Sequence, residues 1–219
     1  MARQETEEKI LEALESLILE EGMKGLGINA VGKRAGVSTE LIYRYFNGLP
    51  GLLEAWVKQQ DFWTRQGELY PLGSDTQTPA ELITAMLKGQ VATLQKNPAL
   101  AEIRRWELIE ASETGQALAQ RRERAARHFI DRLDALAPDA DVPAHIAIML
   151  AGVLYLSLRA KTESQFLGVQ LREQAGWDRI WAALRQQLTA LPATFQDDLL
   201  ADLEASRQGH NPTPDRKQT

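Results

Sequence analysis

The chain has 219 residues and a mass of 24.5 kDa, and with 44% hydrophobic and 25% charged residues it has the composition of an ordinary globular protein; this excludes a disordered or collagen-like chain and leaves room for one large helical domain or two small ones. It contains no cysteine, which excludes disulfides, thiolate metal sites and a cysteine nucleophile, and His128, His145 and His210 stand too far apart for a local metal motif. A formal charge of −5 and a pI near 5.4 argue against binding nucleic acid over the whole surface, so any DNA contact must come from a localised patch.

In chain order, residues 5–21 carry Ile10, Leu11, Leu14, Leu17 and Ile18 at spacings of one, three and four with acids between them, which predicts an amphipathic helix stopped by Gly22. A second, two-turn helix places Ile28, Val31 and Ala35 on one side and ends at Gly36, a residue suited to the left-handed conformation of a helix stop. Ser38 stands as an N-cap for a third helix over 39–46, and Gly48 and Pro50 mark the start of a fourth, which carries Leu52, Leu53, Trp56 and Val57 towards Gln66. After a loop at 70–78, helices are expected near 79–96, 98–112, 113–136, 143–164, 176–191 and 195–206, punctuated by Pro98, Pro138, Pro143 and Pro192. No segment shows sustained strand alternation, so the expected fold is all-α. The expected division is a helix-turn-helix head over 1–48, a helical body over 49–206 whose first helix is the linker, and a disordered tail over 207–219. The N-terminus lacks the apolar core of a signal peptide, and the longest apolar stretch, 146–158, is shorter than the roughly 20 residues that span a bilayer; the expectation is a cytoplasmic protein with no membrane contact.

On the third helix Leu41, Ile42, Tyr45 and Phe46 fall on one side, and Thr39, Glu40, Tyr43 and Arg44 on the other. The three-residue connection Gly36-Val37-Ser38 makes the second and third helices a helix-turn-helix, whose polar face either is simply solvated or enters a major groove. For groove reading the residue types are suitable: Thr reaches a thymine methyl, Arg holds guanine or phosphate, Glu accepts from cytosine and Tyr reaches base or backbone. Arg3, Lys24, Lys33 and Arg34 are candidate phosphate contacts. Residues 1–56 carry six basic and nine acidic side chains, whereas 24–44 carry four bases and one acid, so affinity should be modest and strongly salt-dependent.

Ala35-Gly36-Val37-Ser38-Thr39-Glu40-Leu41-Ile42-Tyr43-Arg44-Tyr45-Phe46 resembles the core signature of the TetR (tetracycline-repressor-type) transcriptional regulators, and the likeness extends from about Lys9 to Leu52 and Leu53. The resemblance implies a three-helix DNA-binding head, a linking fourth helix, and a helical body that dimerises and often holds a small effector. Carried over by position, it places Asn29, Lys33, Ser38, Thr39, Glu40, Tyr43, Arg44 and Tyr45 at double-stranded DNA. Three positions depart from the pattern: Gly27 stands where Ser or Thr commonly caps the second helix, Gly32 replaces an Ala inside it, and Leu49 takes the place of a frequent Lys. Gly32 should soften that helix by about 1 kcal/mol.

In the body, Glu107 and Glu110 project onto the face defined by Leu100, Ile103 and Trp106. Either Arg104 pairs with Glu107 on a wet surface, or the two acids form a partly buried pair for a cationic or hydrogen-bond-donating ligand. Met86, Trp106, Glu107, Glu110, Met149 and Tyr155 are the candidate walls of an effector pocket, and Leu150, Leu154, Ile180, Trp181, Leu184 and Leu188 the candidate homodimer interface. No Ser/His arrangement, phosphate loop or metal-ligand spacing suggests catalysis or a cofactor. The expected function is a sequence-specific DNA-binding regulator, a repressor released by a small-molecule effector; the alternatives are a helical enzyme whose site assembles only on folding, and a regulator-like protein that has lost DNA binding.

Overall fold

The computed structural model describes residues 2–60, 79–136 and 141–189. The expected loop at 70–78, the far end of the fourth helix at 61–66, the helix at 195–206 and the tail at 207–219 lie outside the described residues.

The head consists of α1 (Ala2–Glu21), a 3-10 turn (Met23–Gly25), α2 (Ile28–Ala35) and α3 (Thr39–Phe46), followed by α4 (Leu49–Gln60). Its corners are made by residues whose chemistry suits them. Gly36 closes α2 at φ +69°, the Ser38 hydroxyl oxygen accepts from the Leu41 amide at 3.4 Å, and Asn47 ends α3 in the left-handed region at φ 58°. Gly27 caps α2 without a side-chain bond. A Cβ at Gly32 would sit 3.0 Å from the Val37 carbonyl oxygen, so the glycine that weakens the helix also lets the turn pack closely on it. The α3–α4 corner is tighter still: a Cβ at Gly51 would lie 1.8 Å from the carbonyl oxygen of Phe46.

The body comprises α5 (Pro79–Lys96), α6 (Pro98–Ile109), α7 (Glu113–Leu136), α8 (Val142–Arg159), a two-stranded antiparallel hairpin β1 (Gln165–Phe166) and β2 (Val169–Gln170), and α9 (Gln174–Thr189). Asn97 and Asp141 cap α6 and α8 through the amides of Leu100 and Ala144 at 3.0 and 3.1 Å. Two boundaries differ from expectation. The sixth helix stops at Ile109 instead of 112, because the Ser112 hydroxyl oxygen accepts from the Gly115 amide at 3.0 Å and so serves the start of α7. The eighth stops at Arg159 instead of 164, and the chain enters the hairpin, turning at Leu167 and Gly168, both at positive φ (46° and 76°). Strands of two residues are too short to carry the alternation that marks a strand in sequence.

Burial divides into two apolar clusters. The first joins Ile10, Leu14, Ile18, Val31 and Ile42 of the head and Trp56 of α4 with Leu94, Leu100, Ile103, Leu118 and Leu158 of the body, so the head rests directly on α6. The second holds Ile83, Met86, Leu87, Val91, Ile146, Met149, Val153, Trp177, Trp181, Leu184 and Leu188. This corrects half of the expected dimer interface: Trp181, Leu184 and Leu188 are buried within the protomer, with Trp181 stacked on Trp177 at 5.4 Å. Ile180 packs partly buried against the same cluster. By length and composition α8 is apolar enough to cross a membrane, more so than the stretch 146–158 suggested, because Val142, Pro143 and Ala144 extend it. One of its faces, Val142, Ile146, Met149 and Val153, is spent in the second cluster.

A polar joint fastens α6 to the end of α8. Glu102 accepts from Arg105 at 2.6 Å and from Lys161 at 2.7 Å, beside Gly22 of the head. Burial is the largest influence on Glu102 and pushes its pKa up, but the hydrogen bonds and charges of Lys161 and Arg105 together hold it below the ordinary carboxylate value of 4.5. A carboxyl whose pKa is depressed on folding stabilises the fold fully above its unfolded pKa and loses that contribution as the pH falls through its folded one. We therefore expect Glu102→Gln to cost on the order of 1 kcal/mol at pH 6. That difference should shrink as the pH falls well below 4.5, as read from urea unfolding at several pH values. Equal stability of the two proteins at pH 6 would show that the joint contributes nothing.

Candidate nucleic-acid interface and body cavity

The groove-reading candidates stand on α2, α3 and the turn between them. Asn29, Lys33, Ser38, Glu40, Tyr43 and Arg44 are exposed, while Thr39 and Tyr45 are half-buried. Thr39 owes its burial to its methyl, which packs over Gly32, 3.6 Å from where a Cβ would stand. Tyr43 is 58% exposed, with its ring laid against Gly48, where a Cβ would come within 3.1 Å of it. Tyr45 lies edge-on to Phe46, and both the Arg3 and Arg44 guanidinium groups approach its ring, at 5.0 and 5.3 Å. It thus holds Arg3, on the first turn of α1, and Arg44, on α3, close to one another. Arg3 is further fixed by donating to Glu7 at 2.8 Å.

Electrostatics around α3 are less basic than the residue count implied. Arg34, expected to reach phosphate, is turned back onto α1, where it donates to both carboxylate oxygens of Glu20, at 3.0 and 2.8 Å, and to the Ser16 hydroxyl at 2.6 Å. The bonds from Arg34 and Ser16 hold the Glu20 carboxyl below its ordinary value and those from Glu20 raise the Arg34 guanidinium above its own. Glu40 is also held below the ordinary carboxylate value, by its own amide and by Ser38, so the start of α3 carries a fixed negative charge. Such a group repels phosphate and accepts from a donor such as the cytosine amino group. Lys33 and Arg44 remain exposed cations on α2 and α3.

In the body, α5, α6, α7 and α8 line a half-open cavity of about 890 Å³. Its apolar wall includes Leu94, Leu100, Leu150, Leu154 and Leu158, and its polar wall Gln90, Arg104, Glu107 and Arg122. Of the expected wall residues, Glu107, Glu110 and Tyr155 line it. Met86 and Met149 do not, since both are buried in the second cluster, and Trp106 stands behind the wall with its ring 3.7 Å from where a Cβ of Gly115 would be. Leu150 and Leu154, expected at the dimer interface, also line the cavity.

The acidic pair is not assembled as a cation receptor. Glu107 has a 7% exposed side chain and accepts from Arg104 at 3.2 Å and from Arg122 of α7 at 2.9 Å, whereas Glu110 is exposed at the C-cap of α6. The Arg104–Glu107 pair expected on a wet surface therefore forms, but part-buried. Gln90 and Arg122 were missed. Arg122 is 15 residues from Glu107 and no spacing rule connects them. Gln90 carried a signal, standing in phase with Ile83, Met86, Leu87, Val91 and Leu94 as a polar residue on an apolar face.

Residues 10–55 match the model of a family described as bacterial regulatory proteins, tetR family. An uncharacterized HTH-type transcriptional regulator of Mycobacterium tuberculosis is 30% identical over 133 residues, which is 60% of this chain and 63% of that protein; the chain thus matches less than two thirds of the curated relative's length. Among solved structures, a TetR-like transcriptional regulator from Rhodococcus sp. RHA1 is 15% identical with a TM-score of 0.57, covering 84% of this chain and 96% of that one. The SmeT–triclosan complex is 24% identical with a TM-score of 0.56, covering 81% and 90%.

Proposed function

We infer that this chain, whose residues 10–55 match the tetR family model, is a sequence-specific regulator of transcription that binds double-stranded DNA as a homodimer through α3 and is released by a small molecule held in the body. The observation that carries the reading is the polar face of α3, where Glu40, Tyr43 and Arg44 stand exposed beside Lys33 at the end of a short helix pair. Repression follows if the bound dimer occupies the site that polymerase needs.

The homodimer uses the outward side of α8, where Ile148 and Gly152 are exposed, with Ala151 and Tyr155 at its border with the cavity. Two heads are needed because a palindromic site presents half-sites about 34 Å apart. For the sensor, the cavity volume of about 890 Å³ falls within the range of small-molecule sites. Leu94, Leu100 and Leu158 belong both to the cavity wall and to the apolar cluster on which the head rests. A ligand that prefers one arrangement of these side chains would bias the seat of the head, with a coupling of typically 1–3 kcal/mol, and operator DNA would weaken the ligand by the same factor. The triclosan bound to a protein of similar fold is in keeping with a body that accepts a small molecule.

The test begins with the DNA fragments that the purified protein retains from genomic DNA at moderate salt. On the best of these, Arg44→Ala should cost about 1–3 kcal/mol if it reads a base, while Lys33→Ala should weaken all sequences alike and lower the salt slope by about one. A mobility assay in which neither change alters retention would show that the head is not the reader.

A further inference from the structure

We infer that the body cavity takes an apolar molecule headed by a hydrogen-bond-accepting oxygen, a carboxylate or a carbonyl, in preference to a cation. The inference rests on the sensor reading above and names its ligand class. Gln90 of α5 is 7% exposed and lines the cavity, and its amide Nε2 has no hydrogen-bond partner among the described residues. Native proteins rarely leave a buried donor unsatisfied; the wall covers this one, and a rotation of the Gln90 amide would present it to an acceptor on whatever fills the cavity.

Two further polar groups of the wall are donors as well. Arg104 and Arg122, with side chains 13% and 24% exposed, are donors only. The buried acid among them, Glu107, already accepts from both at 3.2 and 2.9 Å. An ammonium group entering here would meet two guanidinium groups and a carboxylate that is engaged with them, whereas an oxygen acceptor would meet donors. Glu110 and Glu123, which also line the cavity, are exposed, so water screens their charge. Leu94, Leu100, Leu150, Leu154 and Leu158 make the remainder hydrocarbon in character, which sets the body of the ligand.

The experiment is titration calorimetry of the full chain with three probes that share a ten-carbon tail, decanoate, decanamide and decylammonium, each below its micellar concentration. Decanoate, or decanoate and decanamide together, should bind at least tenfold more tightly than decylammonium; binding of decanoate alone assigns a carboxylate head, and binding of both shows that a carbonyl oxygen suffices. Gln90→Met, apolar and of similar size, should weaken the acceptor-headed probe about tenfold and leave the unliganded thermal midpoint level or higher, because the orphaned donor is gone. Gln90→Glu, which replaces the donor with acceptors, should narrow or reverse the preference over decylammonium. Equal or tighter binding of decylammonium to the unaltered chain overturns the inference, as does decanoate affinity indifferent to both substitutions, and so does the failure of all three probes to bind. The sensor reading is judged separately, by whether any compound found in a broad thermal-shift screen lowers affinity for DNA.

Discussion

Replacing Trp56 with alanine is expected to lower stability by about 3–5 kcal/mol, the usual cost of deleting a buried aromatic ring, and to abolish DNA binding at ordinary growth temperature. The ring is 1% exposed and sits in the cluster where α1 and α4 meet body side chains of α5 and α6. Its Nε1 donates to Glu15 on α1 at 3.3 Å, which fixes the ring's orientation. Because a domain is stable by only about 5–15 kcal/mol, a loss of this size removes a large part of the margin. The head has no separate core to fall back on, since Ile10, Leu14 and Ile18 share their cluster with Leu100 and Ile103. Trp56→Phe keeps most of the apolar volume and should cost about 1–2 kcal/mol, with DNA binding retained. Urea unfolding followed by circular dichroism measures both variants. A loss under about 1 kcal/mol for the alanine variant would show that the α1–α4 contact does not hold the head in place.

The head was legible in sequence because local chemistry decides its corners. Gly36 and Ser38 mark the turn by conformations and hydrogen bonds that few other residues supply, and α3 has the bounds that the Ser38 cap and the change of polarity imply. Contacts between distant residues were not legible. Nothing in spacing says that Arg34 turns back 14 residues to Glu20 instead of facing a phosphate, or that Arg122 reaches Glu107 from another helix. The tight corners at Gly51 and Gly176 were equally hidden, because a glycine needed for close approach looks the same in sequence as one that merely ends a helix.

The three interface candidates that turn out to be core, Trp181, Leu184 and Leu188, were misread for a more general reason. An apolar stripe at helical spacing meets the same requirement whether it is covered by the chain's own helices or by a second copy, so Trp181, Leu184 and Leu188 could be read either way. Their burial at 6%, 8% and 1% within one protomer decides the question. The same packing releases the other side of α8, because a helix that buries Val142, Ile146, Met149 and Val153 on one face presents Ile148 and Gly152 outward, with Ala151 and Tyr155 at the border of the cavity.

Ile148→Glu is the substitution that follows, and it should dissociate the dimer without harming the protomer. The side chain is 74% exposed in the single chain, so a charge there costs the isolated fold within about 0.5 kcal/mol. In the proposed two-fold contact on this side of α8 the same residue would be buried on both partners, so each substitution enters twice. Burying one unpaired carboxylate costs at least about 3 kcal/mol, and two like charges facing each other repel, which gives about 6 kcal/mol or a dimer weakened by roughly four powers of ten. Sedimentation at micromolar concentration should show the wild-type chain as a dimer and the variant as a monomer with an unchanged unfolding curve. Affinity for a palindromic DNA fragment should fall with it, since a lone head engages one half-site. Leu184→Glu would be the wrong probe, because that leucine is core and its loss would unfold the chain and mimic dissociation. A variant that sediments as the wild type does would move the interface off α8, and a wild-type monomer would remove the paired heads on which this account of operator recognition depends.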